Sequence, residues 1–583
     1  LAVAIVAGCA CWLIASTASA QLTALRIENY AEAPITGIPG LTSGNPAQLA
    51  RINFLDEEPG GSDRLFVNDL NGPLYILDKQ TRAFTQYLNF NGSGRNSGLF
   101  DRFTSIAGFA NGLVTFEFDP DYGNNGKFYT VHMEELVAGS TVPDNSSVPG
   151  LNTSGYTSTT SIPAPGSTDR ETVLIEWTDT NISNNTFEGT ARELLRLDTV
   201  NRIHPLGDLA FNPTAGPGDP DWRVMYLAVG DGGAGEQSVD VRLTPQRFDT
   251  LNGKILRIIP DLNEHTDTSI VSGSGRYRIP DDNPFHGLAD AHGEVYREIF
   301  ALGLRNPHRI SWDVDPADPS NHQIIVNDIG LHTWEEVNII RGGGNYGYSQ
   351  REGNEMLLSN NMTTALPNPD TIPIQINATM TDGTVTPIYP VLQYGHEQSA
   401  DAIRGDAISS GFVYRGSKIP QLYGKYLFAD ITTGQILYAN YDEMLAADDG
   451  DPSTLATIHS LDLIWDDPND SPDGGAQTYA TIHPIVPGSQ PEGALLGPLF
   501  QIVDAGYHAR GGSATNLPGG ADVTAPFGRG DVRLAMDGAG ELYLISKSDG
   551  VIRAIVGVPE PASAGLMGIA ALVLAALRRR RGG

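Results

Sequence analysis

Residues 114–131 read Val114-Thr-Phe-Glu-Phe-Asp-Pro-Asp-Tyr-Gly-Asn-Asn-Gly-Lys-Phe-Tyr-Thr-Val131. A short apolar strand runs into Asp-Pro, a polar turn follows, and a second strand with Tyr at its centre leaves it. Alternation at period two marks a half-buried strand, and Asp, Pro, Gly and Asn between two such runs mark a chain reversal. The unit returns as Leu209-Ala-Phe-Asn-Pro213 with Val224-Met-Tyr-Leu-Ala-Val-Gly-Asp-Gly-Gly233, and as Ile310-Ser-Trp-Asp-Val-Asp-Pro316 with Gln323 to Gly330. It appears last as Leu534-Ala-Met-Asp-Gly-Ala-Gly-Glu-Leu-Tyr-Leu-Ile-Ser546 followed by Gly550 to Ile555. Strand pairs also lie at Leu65 to Leu77 and Gly411 to Tyr438. A unit of this kind cannot bury its faces alone. Its recurrence predicts an all-β chain, a six-bladed β-propeller with long loop insertions and radially stacked blades. A β-sandwich array is the alternative. The repeats span 50–556, with 21–49 as a short extended lead-in and insertions at 139–170, 261–292, 351–403 and 441–525.

Composition sets the outer bounds. The chain has 583 residues, 66 of them Gly and 38 Pro, with 18% charged and 40% hydrophobic. That excludes a coiled coil, a collagen and a disordered chain. Lys and Arg number 37 against 69 Asp and Glu, a net charge of −32. Such a surface repels phosphate backbones, so no nucleic-acid partner is expected. It favours solubility and offers oxygen ligands to hard cations.

Both ends read as targeting signals. Leu1 to Ala20 form an apolar run closed by Ala18-Ser19-Ala20, the pattern of a secretory signal peptide cleaved before Gln21. Lipoprotein-like acylation at Cys9, after Val6-Ala7-Gly8, is the alternative. Cys9 and Cys11 are the only cysteines, so a mature chain has no disulfide, thiol nucleophile or Cys–zinc site. At the other end, residues 558–583 carry Pro559-Glu560-Pro561, an apolar run from Ala562 to Leu577, and Arg578 to Arg581. This resembles the PEP-CTERM sorting signal of bacterial exported proteins. The resemblance implies export to the periplasm, cell surface or extracellular matrix, and a transpeptidase-like sorting enzyme as partner. A permanent single-span anchor is the alternative, and membrane contact is then confined to that uncleaved helix.

Four segments at strand ends carry chemistry. In Ile203-His204-Pro-Leu-Gly207-Asp208, an imidazole stands before a strand, as a base or as a structural histidine. In Ala228-Val-Gly230-Asp231-Gly-Gly233, a carboxylate leaves a strand end, where it orients a histidine, binds a cation or caps its own turn. In Ala301-Leu-Gly-Leu-Arg305-Asn306-Pro307-His308, a guanidinium fork and an amide suit a carboxylated ligand, and Pro307 stiffens the turn. In Asp328-Ile-Gly330 to Gly347, glycines let backbone carbonyls approach a ligand, where with Glu336 they would make an oxygen-rich calcium site, or Gly342 to Gly347 form a wide turn.

Taken in order, these segments resemble the soluble aldose (glucose/sorbosone) dehydrogenases that use pyrroloquinoline quinone. Leu251-Asn-Gly-Lys-Ile-Leu-Arg-Ile258, Trp334-Glu-Glu-Val-Asn-Ile-Ile340, Gly344-Asn-Tyr-Gly-Tyr348 and Gly411-Phe-Val-Tyr-Arg-Gly-Ser-Lys418 extend the series. The resemblance implies an exported enzyme that oxidises an aldose sugar or related polyol and passes electrons to an external acceptor. It implies pyrroloquinoline quinone and Ca2+ as cofactors, with His204 as general base and Asp231 orienting it. Arg305, Asn306, Lys418 and Arg529 would bind the quinone. Gly330 and Leu331 would hold a catalytic calcium by their carbonyls, and Glu336 and Tyr346 a second, structural one. The chain departs from the pattern at Ala110 and Asn111, where the family carries Gln or Glu, and at Pro205-Leu206. It departs again at Gly528-Arg529-Gly530-Asp531-Val532, where the family's soluble glucose enzymes carry Arg-x-Arg-Asp-Val. Two other classes stay open: a non-catalytic envelope or matrix propeller binding polysaccharide or protein, and a calcium-dependent lactonase-type propeller.

Overall fold

Strands pair into six antiparallel units of four, of which the fifth and sixth join through Ala24–Glu32 into one nine-stranded sheet and the second gains Leu151–Asn152 as a fifth strand. The first holds Ile52–Glu57, Arg64–Asp69, Pro73–Asp78 and Phe84–Asn89, and the second Leu113–Phe118, Lys127–Glu135, Arg170–Asp179 and Gly189–Thr199. The third holds Leu206–Phe211, Met225–Val229, Lys254–Ile258 and Ile299–Leu302, and the fourth Pro307–Val314, His322–Asp328, Trp334–Ile340 and Leu392–Gly395. The fifth holds Ile408–Val413, Lys425–Asp430, Ile436–Asn440 and His459–Trp465, and the sixth Val532–Met536, Leu542–Ser546, Val551–Gly557 and Ala24–Glu32. This computed structural model describes residues 21–37, 48–94, 97–106, 110–396, 403–468, 475–484, 494–520 and 523–558. The signal peptide read at 1–20 and the sorting signal read at 558–583 lie outside them, apart from Val558. Among the described residues no helix is long and apolar enough to cross a membrane.

The chain is mostly β, and the stretch 114–131 supplies a strand pair of the second sheet, with Phe118 opposite Phe128. Its Asp-Pro turn does more than reverse the chain. The buried Asp119 carboxylate accepts the Asp121 N–H at 2.9 Å and receives the Arg223 guanidinium at 2.9 Å from the segment entering Met225–Val229. A turn residue therefore also ties two sheets.

Polar side chains link each sheet to its neighbour. Asn53 Nδ2 donates to the Val114 carbonyl at 2.7 Å, joining the first sheet to the second. Asp208 accepts from Thr115 Oγ1 at 3.0 Å and from the Ile310 N–H at 2.9 Å, joining second, third and fourth. Glu335 accepts the Ile408 N–H at 2.8 Å, joining fourth to fifth, and Ser410 Oγ donates to the Leu534 carbonyl at 2.6 Å, joining fifth to sixth. Glu57 accepts the Gly538 N–H at 2.9 Å and returns the sixth sheet to the first. The six first strands thus form a closed cycle of neighbours.

Residues 21–49, read as a lead-in, contribute the outer strand of the last sheet. Ala24–Glu32 pairs antiparallel with Val551–Gly557 and parallel with His459–Trp465. Leu25 and Ile27 sink into one core shared by the last two sheets, where they are essentially inaccessible. The 441–525 insertion holds a twelve-residue helix, Pro498–Ala509, which starts on a proline and buries Leu499, Phe500, Ile502, Val503 and Tyr507 against the last sheets. Proline at the first helical turn loses no bond, because that N–H has no intrahelical partner.

Candidate functional site

Antiparallel pairing in chain order brings the residues that enter a first strand to the same rim as those that leave a second strand. A cavity of about 250 Å³ opens at that rim. His204 reaches it ahead of Leu206–Phe211, Arg305 and Asn306 ahead of Pro307–Val314, and Arg529 ahead of Val532–Met536. Gly330 reaches it after His322–Asp328, and Lys547 after Leu542–Ser546.

His204 and Asp231 meet. The imidazole Nδ1 lies 2.7 Å from Asp231 Oδ1. Asp231 is fully buried and accepts the N–H groups of Gly233 at 2.8 Å and Gly235 at 2.7 Å. Burial alone would raise this carboxyl, but the His204 ring beside it, with Arg305 and the Gly233 N–H, holds it below the usual carboxylate range. An ionised carboxylate only accepts, so Nδ1 carries the proton and Nε2 keeps the lone pair for the cavity. The backbone is built for this contact. His204 sits at φ 50°, and its carbonyl accepts the Gly232 N–H at 3.0 Å. A Cβ on Gly230 would lie 2.5 Å from that carbonyl oxygen. Gly230→Ala is therefore expected to destabilise the fold by about 1–3 kcal/mol through overpacking, as read by urea unfolding; a parent-like midpoint would contradict the tight fit.

Arg305 and Asn306 are set by Asp328, whose carboxylate accepts both their N–H groups, at 3.0 and 2.6 Å. The Arg305 guanidinium spans from Glu236 Oε1, at 2.6 Å, to the carbonyls of Ile329, at 3.2 Å, and Gly330. Burial opposes its charge, but the Glu236 carboxylate, Tyr348 and Asp231 keep it cationic. Arg529 faces the cavity beside Asp406 at 3.3 Å.

Lys418 is not brought here. It follows the first strand of the fifth sheet, so it emerges at the opposite rim, exposed, with its N–H on Glu541 Oε1 at 3.1 Å. It lines a separate depression with Arg82 and Tyr543. The lysine in the cavity is Lys547, which sequence reasoning missed together with His308, His396, Glu236, Asp406 and Arg533. His396 faces the cavity with its Nδ1 on Glu335; burial opposes its charge, but that carboxylate raises it to about 9.

One expected calcium ligand, the Gly330 carbonyl, is already engaged by a cation. Gly330 and Leu331 line the cavity, and the Gly330 carbonyl accepts from Arg305. The Glu336 carboxylate is engaged by the Gly353 N–H at 2.5 Å and Asn338 Nδ2 at 3.2 Å. Tyr346, expected to ligate through its backbone carbonyl, is buried with its hydroxyl donating to the Ile339 carbonyl at 2.8 Å. Among the described residues no group of three His, Cys, Asp or Glu side chains is placed to hold a metal ion. A guanidinium on the key carbonyl does not fit a divalent cation.

The family model described as Glucose / Sorbosone dehydrogenase matches residues 59–451 of this chain, more than half of it. The chain belongs to the glucose/sorbosone dehydrogenase family. The HIPL1 protein of Arabidopsis thaliana is 26% identical over 416 residues, 68% of this chain and 53% of that protein. Quinoprotein glucose dehydrogenase B of Acinetobacter calcoaceticus is 24% identical over 367 residues, 58% of this chain and 60% of that one. This family member thus spans between half and three fifths of the length of these relatives. The solved apo-form of the soluble aldose sugar dehydrogenase from Escherichia coli aligns with 91% of this chain and 98% of its own, at 14% identity and a TM-score of 0.48. The cavity lining gathers four cationic side chains, Arg305, Arg529, Arg533 and Lys547, donors suited to a carboxylated ligand.

Proposed function

We propose that this chain is an exported sugar dehydrogenase, oxidising an aldose or related polyol with pyrroloquinoline quinone held in the His204 cavity of a six-bladed β-propeller. The observation that carries the reading is the His204–Asp231 pair at 2.7 Å, its second ring nitrogen turned to a cavity lined by cations. The closed cycle of six first strands supports the propeller, with Ala24–Glu32 latching the last sheet. Export and sorting rest on Leu1 to Ala20 and on Pro559-Glu560-Pro561 with its arginine tail.

Each residue has a defined task. His204 Nε2 takes the hydroxyl proton of the sugar carbon being oxidised. Asp231 fixes the tautomer and ring plane and stabilises the imidazolium that forms, while remaining ionised. Arg305 and Arg529 orient a carboxylated ligand, and Asn306 adds an amide to the same wall. When bound, the ortho-quinone supplies the hydride acceptor.

Dye-linked oxidation of a panel of aldoses by the purified chain tests the reading. Rates are expected to depend on added quinone and to saturate with it; no quinone-dependent rate with any aldose or polyol would contradict it. A polysaccharide- or protein-binding propeller would give that second result.

A further inference from the structure

The family's paired arginines are absent from Gly528-Arg529-Gly530-Asp531-Val532, yet cations converge on the floor of the cavity from neighbouring positions. Arg533 is buried to 1% exposure within the first strand of the sixth sheet and lines the cavity. Among the described residues its guanidinium donates to the Val532 carbonyl at 2.8 Å, its Nε has no partner, and no carboxylate lies within ion-pair distance. Lys547 is buried to 2% and faces Asp531 at 3.1 Å. Asp531 already has Gln48 and Arg529 beside it. His308 also lines the cavity, with Nε2 unpartnered. Burial and then Arg533, Arg309 and Lys547 push this imidazole well below its usual range, so it enters as a neutral ring. Burial lowers this guanidinium to about 9 although Asp531 supports its charge, so a ligand carboxylate placed against it would offset part of the cost.

We infer that Arg533 and Lys547 form a carboxylate-binding floor, a site for one acid edge of an aromatic polycarboxylate, replacing the arginines missing at Gly528 and Gly530. This rests on the quinone reading for the identity of the natural ligand, but not for the site itself. Arg533 offers a planar fork, and Lys547 a point charge held in place by Asp531.

The floor also predicts proton uptake. Burial pushes Lys547 down to about 7, against the pull of Asp531 and with the help of Arg533, Arg51 and Arg529; His308 faces it as well. At pH 8 the free site is thus mostly unprotonated at Lys547, and a bound carboxylate restores the ammonium. Binding should take up close to one proton at pH 8 and far less at pH 6.

Calorimetric titration of the full chain with pyrroloquinoline quinone and with trimellitate, a benzene tricarboxylate with no redox chemistry, tests this. Arg533→Met and Lys547→Met are expected to weaken both probes at least about tenfold, and Lys547→Met to abolish the proton uptake. Arg533→Lys and Lys547→Arg should restore part of the affinity, and thermal melts confirm that each variant folds. Parent-like affinity for both probes in folded Arg533→Met and Lys547→Met would overturn the floor and leave the dehydrogenase reading standing. Trimellitate binding lost in those variants, with no aldose reducing bound quinone in the parent, would leave the floor standing and remove that reading.

Discussion

His204→Ala is expected to lower turnover of the quinone-loaded chain about 10²–10⁴-fold while leaving quinone affinity within a factor of about two. The split follows from geometry. Nδ1 is committed to Asp231 at 2.7 Å, so only Nε2 is free to act on substrate. The cations that would hold the ligand, Arg305, Arg529, Arg533 and Lys547, belong to other strands and do not depend on His204 for their bonds. Asp231→Asn should reproduce much of the loss, because an amide can donate to Nδ1 and favour the wrong tautomer. Steady-state kcat, set beside an independent binding titration, reads the split. A His204→Ala chain as active as the parent would remove the imidazole from the chemistry.

Deleting residues 21–33 is expected to have the largest effect on stability, abolishing a cooperative native melt or lowering its midpoint by more than 10 °C, on the order of several kcal/mol. The segment lies far from the cavity residues in sequence, yet it is the outer strand of the sixth sheet and also borders the fifth. Its loss exposes the unpaired edge of Val551–Gly557 and removes Leu25 and Ile27 from their shared core. The sixth sheet supplies Arg529, Arg533 and Lys547, so ligand binding should fall with the fold. Differential scanning calorimetry checks this; a deleted chain melting with its parent would mean that the cycle of sheets closes without this strand.

Much of the architecture was readable because strand alternation and Asp-Pro or Asp-Gly turns are local signals. Leu113–Phe118 with Lys127–Glu135 and Val532–Met536 with Leu542–Ser546 each announce a strand pair within about twenty residues. The partner of Ala24–Glu32 lies at the other end of the chain, and no local pattern reveals it. The Pro498–Ala509 helix was hidden within an insertion whose Asp, Pro and Gly content reads as loop.

The site divides along the same line. His204, Asp231 and Arg305 were legible because each flanks a strand at the cavity rim. Lys418 was misplaced for a reason visible in retrospect: it follows a first strand, while the cavity gathers residues that precede first strands or follow second ones. Lys547, directly after Leu542–Ser546, satisfies that rule and could have been found by it. Metal ligation through carbonyls at Gly330 and Leu331 was not legible, because every residue has a carbonyl and only the fold decides what it faces. Here Arg305 claims the one on Gly330.

An anaerobic single-turnover experiment tests the central claim most directly: quinone bound to the full chain is mixed with one aldose at a time, and its absorption is followed in the parent and in His204→Ala. The expected result is a stoichiometric shift from oxidised to reduced quinone in the parent with at least one aldose, slowed about a hundredfold or more in the variant. Quinone that binds in the cavity and stays oxidised with every sugar would contradict the account.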